Sequence, residues 1–227
     1  MIKVIYEDNH IIVVEKPFNI PSQEDESKDM DMLRMVKEYV RVRYNKPGEA
    51  YIGMVHRLDR VAGGLMVFAR TSKAASRLSE QIRNRTFKKE YMAVVEGHLK
   101  SDASSLTDYL VKDSGTNTVT VTKKNAPGAK EAKLDYLMVG KNDNLNLVHV
   151  NLHTGRPHQI RVQFSSRNNP IWGDGKYGSS YRSKKGIALW SSKITLEHPV
   201  KKEEMTFELM PPAIEPWDKF KVIKNLD

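Results

Sequence analysis

Asp59 stands between Arg57 and Arg60 in His56-Arg57-Leu58-Asp59-Arg60, directly after the apolar, strand-like run 51–55. Opposite charges within a few ångströms favour the ionised form of a carboxyl group and lower its pKa, whereas burial alone would raise it. An aspartate so placed suits a nucleophile or a base, not a general acid. The same spacing also suits ordinary surface ion pairs, which are common and weak, and the segment by itself leaves both readings open.

Other clusters invite chemistry as well. His149, His153 and His158 raise the question of a metal site. Residues 145–152 alternate as a strand does, and four residues along a strand separate His149 from His153 by about 13 Å, too far for one zinc ion. No metal site is expected. Gly173-Asp174-Gly175-Lys176-Tyr177-Gly178 has the spacing of a dinucleotide fingerprint, but the polar tract 179–186 after it lacks the helical stripe needed to bring a helix N-terminus to a pyrophosphate. It reads as a glycine-rich turn. In Thr154-Gly155-Arg156-Pro157-His158-Gln159-Ile160-Arg161, Pro157 suits the first position of a helix and Gly155 a tight turn before it. His158 and Arg161 would then share a face, offering a fixed cation to a carboxylate from elsewhere. A solvated surface arginine is the competing reading.

With 227 residues the chain can bury a substantial core, and it reads as one domain, residues 1–227. Lys and Arg outnumber Asp and Glu by 37 to 28, a net charge of +9, which favours a polyanionic partner such as nucleic acid or, less specifically, a membrane surface. No apolar run approaches the roughly 20 residues of a membrane-spanning helix. Glu7, Asp8 and Glu15 fall where a secretory signal would be basic and then uninterruptedly apolar. A cytoplasmic protein without a membrane partner is expected. Cysteine is absent, which excludes disulfides, thiolate zinc sites and thiolate nucleophiles. A nucleophile in this chain is oxygen or nitrogen.

The elements that must carry these residues can be read from periodicity and turn chemistry. Residues 2–6 and 11–15 form two short strands around Asp8-Asn9, and Lys16-Pro17 ends the second. Met32, Leu33, Val36 and Val40 recur at helical spacing, with Asp29 or Asp31 as the cap. Residues 64–69 read as a buried strand, and Thr71-Ser72 cap a helix that puts Ala74, Ala75, Leu78 and Ile82 on one face. Its other face carries Lys73, Arg77, Arg83 and Arg85, either a phosphate track or a solvated side. Residues 89–96 alternate, with Tyr91, Ala93 and Val95 on one side. Polar residues dominate the next thirty positions, which read as a flexible insertion with loops at 101–105, 112–116 and 123–130 and a short strand at 119–122. Further strands are expected at 132–139, 145–152, 187–190, 194–197 and 205–209. Strands outnumber helices without regular interleaving, which predicts an α+β domain with a mostly antiparallel sheet and flanking helices.

Taken in order, Glu15-Lys16-Pro17, His56-Arg57-Leu58-Asp59-Arg60 with Gly64-Leu65, Lys89-Glu90-Tyr91-Met92-Ala93, Gly155-Arg156-Pro157-His158-Gln159-Ile160-Arg161, Pro170-Ile171, Gly173-Asp174, Tyr177-Gly178 and His198-Pro199 form a highly specific set. The chain resembles the RluA family of pseudouridine synthases along nearly its whole length. The resemblance implies the catalytic fold of those enzymes with a central RNA-binding cleft, and isomerisation of uridine in transfer or ribosomal RNA by base flipping. It implies that Asp59 is the nucleophile, that Tyr91 stacks on the target base, that Arg161 pairs with Asp59, and that Arg57 fills the space the flipped uridine leaves. Arg60, Arg156 and His158 are expected among the RNA contacts, together with His56, which matches the motif without an assigned chemical step. RNA is the implied partner; no cofactor is required, and a monomer is expected.

The chain departs from the family pattern in places. Many relatives have Thr-Ser-Gly-Leu where this chain has Ala62-Gly63-Gly64-Leu65, and Pro157 stands where a threonine is usual. The lost hydroxyls bear on substrate contacts, not on the three residues expected to do chemistry. The small RNA-binding domain that some relatives carry ahead of the catalytic one is not expected here. The competing function is a catalytically inactive RNA-binding or chaperone protein on the same fold.

Overall fold

A computed structural model describes residues 2–45 and 47–221. In chain order the elements begin with β1 (Lys3–Glu7), β2 (Ile11–Lys16), α1 (Met32–Arg43), β3 (Gly53–Met54), β4 (Gly63–Ala69) and α2 (Ser72–Arg83). Next come β5 (Lys88–Glu96), β6 (Ala103–Asp113), β7 (Thr118–Thr122), β8 (Lys130–Asn142) and β9 (Leu145–Leu152). The chain continues through α3 (Gln159–Ser165), β10 (Leu189–Glu197) and β11 (Glu204–Glu208). The class is α+β with mostly antiparallel strands, as the sequence predicts. Two compact units divide the chain: Met1–Lys88 with Ser191–Leu209, and Lys89–Trp190 with the residues from Met210 onward. Among the described residues no helix is long and apolar enough to cross a membrane.

In the first unit the strand order is β1-β2-β4-β10, with β11 paired to β10 and β3 to β4. Ile11 to Val14 in β2 and all of β4 are buried, so both faces of these central strands are covered. Ile11, Val13, Leu65 and Val67 pack with Ala74 and Leu78 of α2 and with Ile194 and Leu196 of β10. The helix starts are those the capping residues dictate. The Asp31 carboxylate accepts the Arg34 N–H at 3.0 Å, and the Thr71 hydroxyl accepts the Ala74 N–H at 3.1 Å. On the basic face of α2, Lys73 and Arg83 are exposed, while Arg77 donates to the Pro199 carbonyl at 2.6 Å.

His198, fully buried, ties the start of the unit to its end. Its Nδ1 accepts the N–H groups of Val200 (3.2 Å) and Lys201 (2.8 Å), so its proton lies on Nε2 and is donated to the Asp8 carboxylate at 2.8 Å. Burial pushes the Asp8 carboxyl up, but the N–H groups of Ile11 and His10, with Tyr6 and His198, outweigh it and hold it below the usual aspartate range.

The second unit has the strand order β5-β9-β8-β6-β7. Here the structure corrects the expected insertion: residues 103–113 and 118–122 form the β6–β7 hairpin, and β6 pairs with β8 from Ala103 to Leu110. The strand lacks an apolar stripe because its inward positions include Asp108 between Leu106 and Leu110, and Asp108 is taken up by Gln163 and Arg167. Other differences are smaller. Residues 187–190 and 194–197 belong largely to one strand, β10, because Ser191 and Ser192 are buried strand residues and not a turn. The run 51–55 pairs with β4 only at Gly53 and Met54. The helix expected to begin at Pro157 begins at Gln159, after His158 in the left-handed conformation (φ 49°).

His198→Ala is expected to lower unfolding free energy at neutral pH by about 2 kcal/mol or more, because two N–H groups and the Asp8 carboxylate lose a buried partner. A folded-state pKa below the unfolded one gives stability that is present above the unfolded value and disappears as pH falls through the folded one. Asp8→Asn is therefore expected to cost most at pH 7 and progressively less below about pH 4. Urea titrations of the three proteins across that range check both statements.

Candidate active site

The segment bearing Asp59 leaves β3 and enters β4, and each of its turns is fastened. Leu58, buried, both donates to and is approached by the Ser22 hydroxyl: its N–H lies 3.1 Å from Oγ, and its carbonyl accepts from Oγ at 2.7 Å. The Ala62 N–H closes a turn on the Asp59 carbonyl at 3.0 Å. His56 is buried against Phe87, ring centroids 5.5 Å apart, and its Nε2 accepts the Val67 N–H at 3.0 Å. That contact pins the start of the loop to β4. Arg57 is exposed, whereas Arg60 is engaged by Asp25 (3.3 Å), Ser27 (2.8 Å) and Asp29. Asp59 itself is half-buried.

Lys16 takes part in the site although hydropathy and spacing do not single it out. Its side chain is wholly buried, and Nζ donates to the carbonyls of Pro17 (2.9 Å), Arg60 (2.9 Å) and Ala62 (2.6 Å). Burial pushes the ammonium down from 10.5 to about 7, against the opposing pull of the Asp59 charge. Lys16 thus fixes the backbone immediately after Asp59 and places a cation within its electrostatic reach. The signal available in sequence was a lysine closing an otherwise apolar strand just before a proline. Gly64 completes the arrangement: at φ +113°, with a built Cβ only 2.4 Å from the Ser191 carbonyl oxygen, the position accepts glycine alone. Ala62 and Gly63 are buried, so the hydroxyls missing there are missing from the interior and not from an exposed surface.

In the second unit, Tyr91 lies on β5, 6% exposed, opposite Val150 of β9. Arg161 lies in the first turn of α3 and is buried. Its guanidinium meets Asp174 in a fork, Nε to Oδ2 at 2.7 Å and Nη2 to Oδ1 at 2.9 Å, while Cζ sits 4.8 Å from the centre of the Tyr177 ring. The glycine-rich turn 173–178 is therefore a holder for Arg161. Tyr177 Oη in turn receives the Val119 N–H at 2.9 Å and lies 2.7 Å from His158 Nδ1. Asp174 was visible in the sequence only as part of the ordered motif set.

Gln159 organises the loop before α3. Its Oε1 accepts from the Thr154 hydroxyl (2.8 Å) and the Arg156 N–H (3.0 Å), and its Nε2 donates to the Lys133 carbonyl (3.1 Å) and to Gln163 (3.0 Å). His149 and His153 meet different carboxylates, Glu90 at 2.7 Å and Asp135 at 2.5 Å. Among the described residues no group of three His, Asp or Glu side chains is arranged to hold a metal ion.

Lys16→Met is expected to destabilise the fold by about 2–4 kcal/mol, since three carbonyls, that of the buried Ala62 among them, lose their donor. The folded amine titrates near 7 and the unfolded one near 10.5, so between those values the unfolded chain binds more protons and the wild type gains stability as pH rises. The gap between wild type and variant should widen from pH 7 to pH 9.5 in chemical denaturation; a narrowing gap would contradict the assignment.

A family model described as RNA pseudouridylate synthase matches residues 10–166. The chain is 33% identical over 211 residues to the dual-specificity RNA pseudouridine synthase RluA of Escherichia coli K12, covering 90% of this chain and 91% of that protein. It is 30% identical over 213 residues to the uncharacterized RNA pseudouridine synthase YhcT of Bacillus subtilis, covering 92% and 68%. The solved human RNA pseudouridylate synthase domain containing 4 superposes with a TM-score of 0.77 at 21% identity, over 92% of this chain and 88% of that one, a likeness of fold. With the match extending across β2, the Asp59 loop, β5 and α3, the chain belongs to the RluA-like RNA pseudouridylate synthases and is an RNA pseudouridine synthase, an isomerase.

Proposed function

We propose that the enzyme isomerises uridine in transfer or ribosomal RNA by flipping the nucleotide out of its stack and attacking it with Asp59. The observation that carries this reading is the fastening of the Asp59 loop through Lys16 and Ser22, which leaves the carboxylate half-buried on a fixed backbone. Preorganisation of that kind is what nucleophilic catalysis requires of a weak oxygen nucleophile. The similarity to a dual-specificity RNA pseudouridine synthase supports RNA as the substrate.

The chemistry balances without a second substrate. The bond from the sugar C1′ to uracil N1 breaks, the uracil turns while bound, and C1′ bonds to C5. The proton on C5 leaves to solvent and N1 gains one. Asp59 attacks either C1′ or the uracil ring and is released unchanged. Flipping costs a few kcal/mol of stacking, and the Tyr91 ring returns about 1–3 kcal/mol by stacking on the base. Arg161, oriented by Asp174 and Tyr177, is the fixed cation of the reaction. Arg57, exposed, fills the place the uridine leaves, and Arg60, Arg156 and His158 act on the RNA side of the reaction. The proposed setting is the cytoplasm, with the protein acting as a single catalytic domain and a monomer.

Tritium release from uracil C5 of unmodified transfer and ribosomal RNA transcripts tests the reaction directly. Wild type is expected to release tritium, and Asp59→Asn to release it at least about a thousandfold more slowly with RNA affinity retained. Loss of binding together with activity would make Asp59 a folding residue instead.

Arg161→Met is expected to cut turnover by about a hundredfold or more. Asp174→Asn keeps the arginine but removes the carboxylate charge and one of the fork's two acceptors, since an amide offers Oδ1 alone and turns an NH2 donor toward the other arm; kcat should fall by about tenfold while KM changes little. A matching rise in KM, or an unfolded variant in a thermal melt, would remove Asp174 from the positioning role.

A further inference from the structure

Lys89 opens the inner part of β5 two residues before Tyr91, so the strand's alternation places the two side chains on one face about 7 Å apart. Lys89 is half-buried, and among the described residues its ammonium has no hydrogen-bond or ion-pair partner. Burial alone lowers its pKa, with no carboxylate opposing the shift. The ammonium lies against Gly155, where a built Cβ would come 3.2 Å from Nζ. Beside Gly155, Arg156 spends only Nε, on the Glu131 carbonyl at 2.8 Å; among the described residues its terminal amino groups have no partner. Gln159 braces the loop by accepting the Arg156 N–H and by its bond to the Lys133 carbonyl. The Lys89 ammonium thus lies against Gly155, and the next residue of the same braced loop, Arg156, carries a second cation.

A desolvated ammonium without a carboxylate is unfavourable by itself, and an anion brought by a substrate removes the penalty. Lysine serves phosphate as a point charge and arginine as a fork, and contacts of both kinds position nucleic acids without reading sequence. We propose that Lys89 and Arg156 form a receptor for one backbone phosphodiester of the RNA, the one flanking the nucleotide whose base lies on Tyr91. The assignment rests on the reading of Tyr91 as the stacking platform. Ring and ammonium then grip one nucleotide at both ends, and the phosphate sets which nucleotide along the strand arrives at the ring.

Equilibrium binding of an unmodified transfer RNA transcript, measured from about 50 to 300 mM salt, tests the receptor without reference to turnover. Each neutralised phosphate contributes nearly one unit to the slope of log affinity against log salt, so Lys89→Gln and Arg156→Gln should each lower the slope by up to about one unit, and the double variant by no more than a single shared phosphate allows. Phosphate-ethylation interference on the same transcript should show a position whose ethylation weakens wild type but not the double variant. An unchanged slope and an unchanged interference pattern in the double variant would overturn the proposal. Should Lys89→Gln fail to fold by circular dichroism, Arg156→Gln alone carries the test, and wild-type slope and interference there would overturn it equally. Tyr91→Leu separates the two readings: wild-type affinity and turnover in that variant would reject the stacking platform, while slope and interference decide the receptor independently.

Discussion

Taking an ammonium group out of water costs several kcal/mol unless acceptors surround it, and Lys16 meets that condition with the carbonyls of Pro17, Arg60 and Ala62. The requirement runs both ways. Those carbonyls lie just outside the strands β2 and β4, and a carbonyl shielded from water without a donor is costly too. Loop and lysine therefore satisfy each other. The backbone immediately following Asp59 has its position set by the end of a central strand.

Gly64 and Ser22 belong to the same constraint. The strand that follows the loop approaches Ser191 so closely that no side chain fits at Gly64, while the Ser22 hydroxyl holds both polar groups of Leu58. With the chain held before and after it, Asp59 has little backbone freedom left. In the proposed reaction its carboxylate is a weak nucleophile, and restricting its geometry is a direct way for a protein to improve one.

The second unit solves a related problem with side chains. The fork of Asp174 and the face of Tyr177 fix Arg161, and Tyr177 is itself anchored by Val119 and His158. Gln159 and Gln163 then connect α3 to Lys133 and Asp108 on neighbouring strands. This polar packing explains why β6 looked like a loop. Its inward Asp108 is incompatible with an apolar stripe, and only its amide and guanidinium partners make burial affordable.

Where burial is apolar, periodicity locates the elements, β9 at 145–152 and the α2 face of Ala74 and Leu78, and the Thr71 cap follows from local side-chain chemistry, whereas between Asp29 and Asp31 only the structure decides for Asp31. The motifs around Asp59, Tyr91 and Arg161 were legible for the same reason, as residue types at short spacing. What tertiary structure decided is everything that depends on distant polar partners. Lys16 reaches carbonyls 44 and 46 residues away, and Asp174 meets Arg161 across 13. Hydropathy carries no record of such pairs, because the energy of a buried charge depends on which acceptors surround it and not on its own identity.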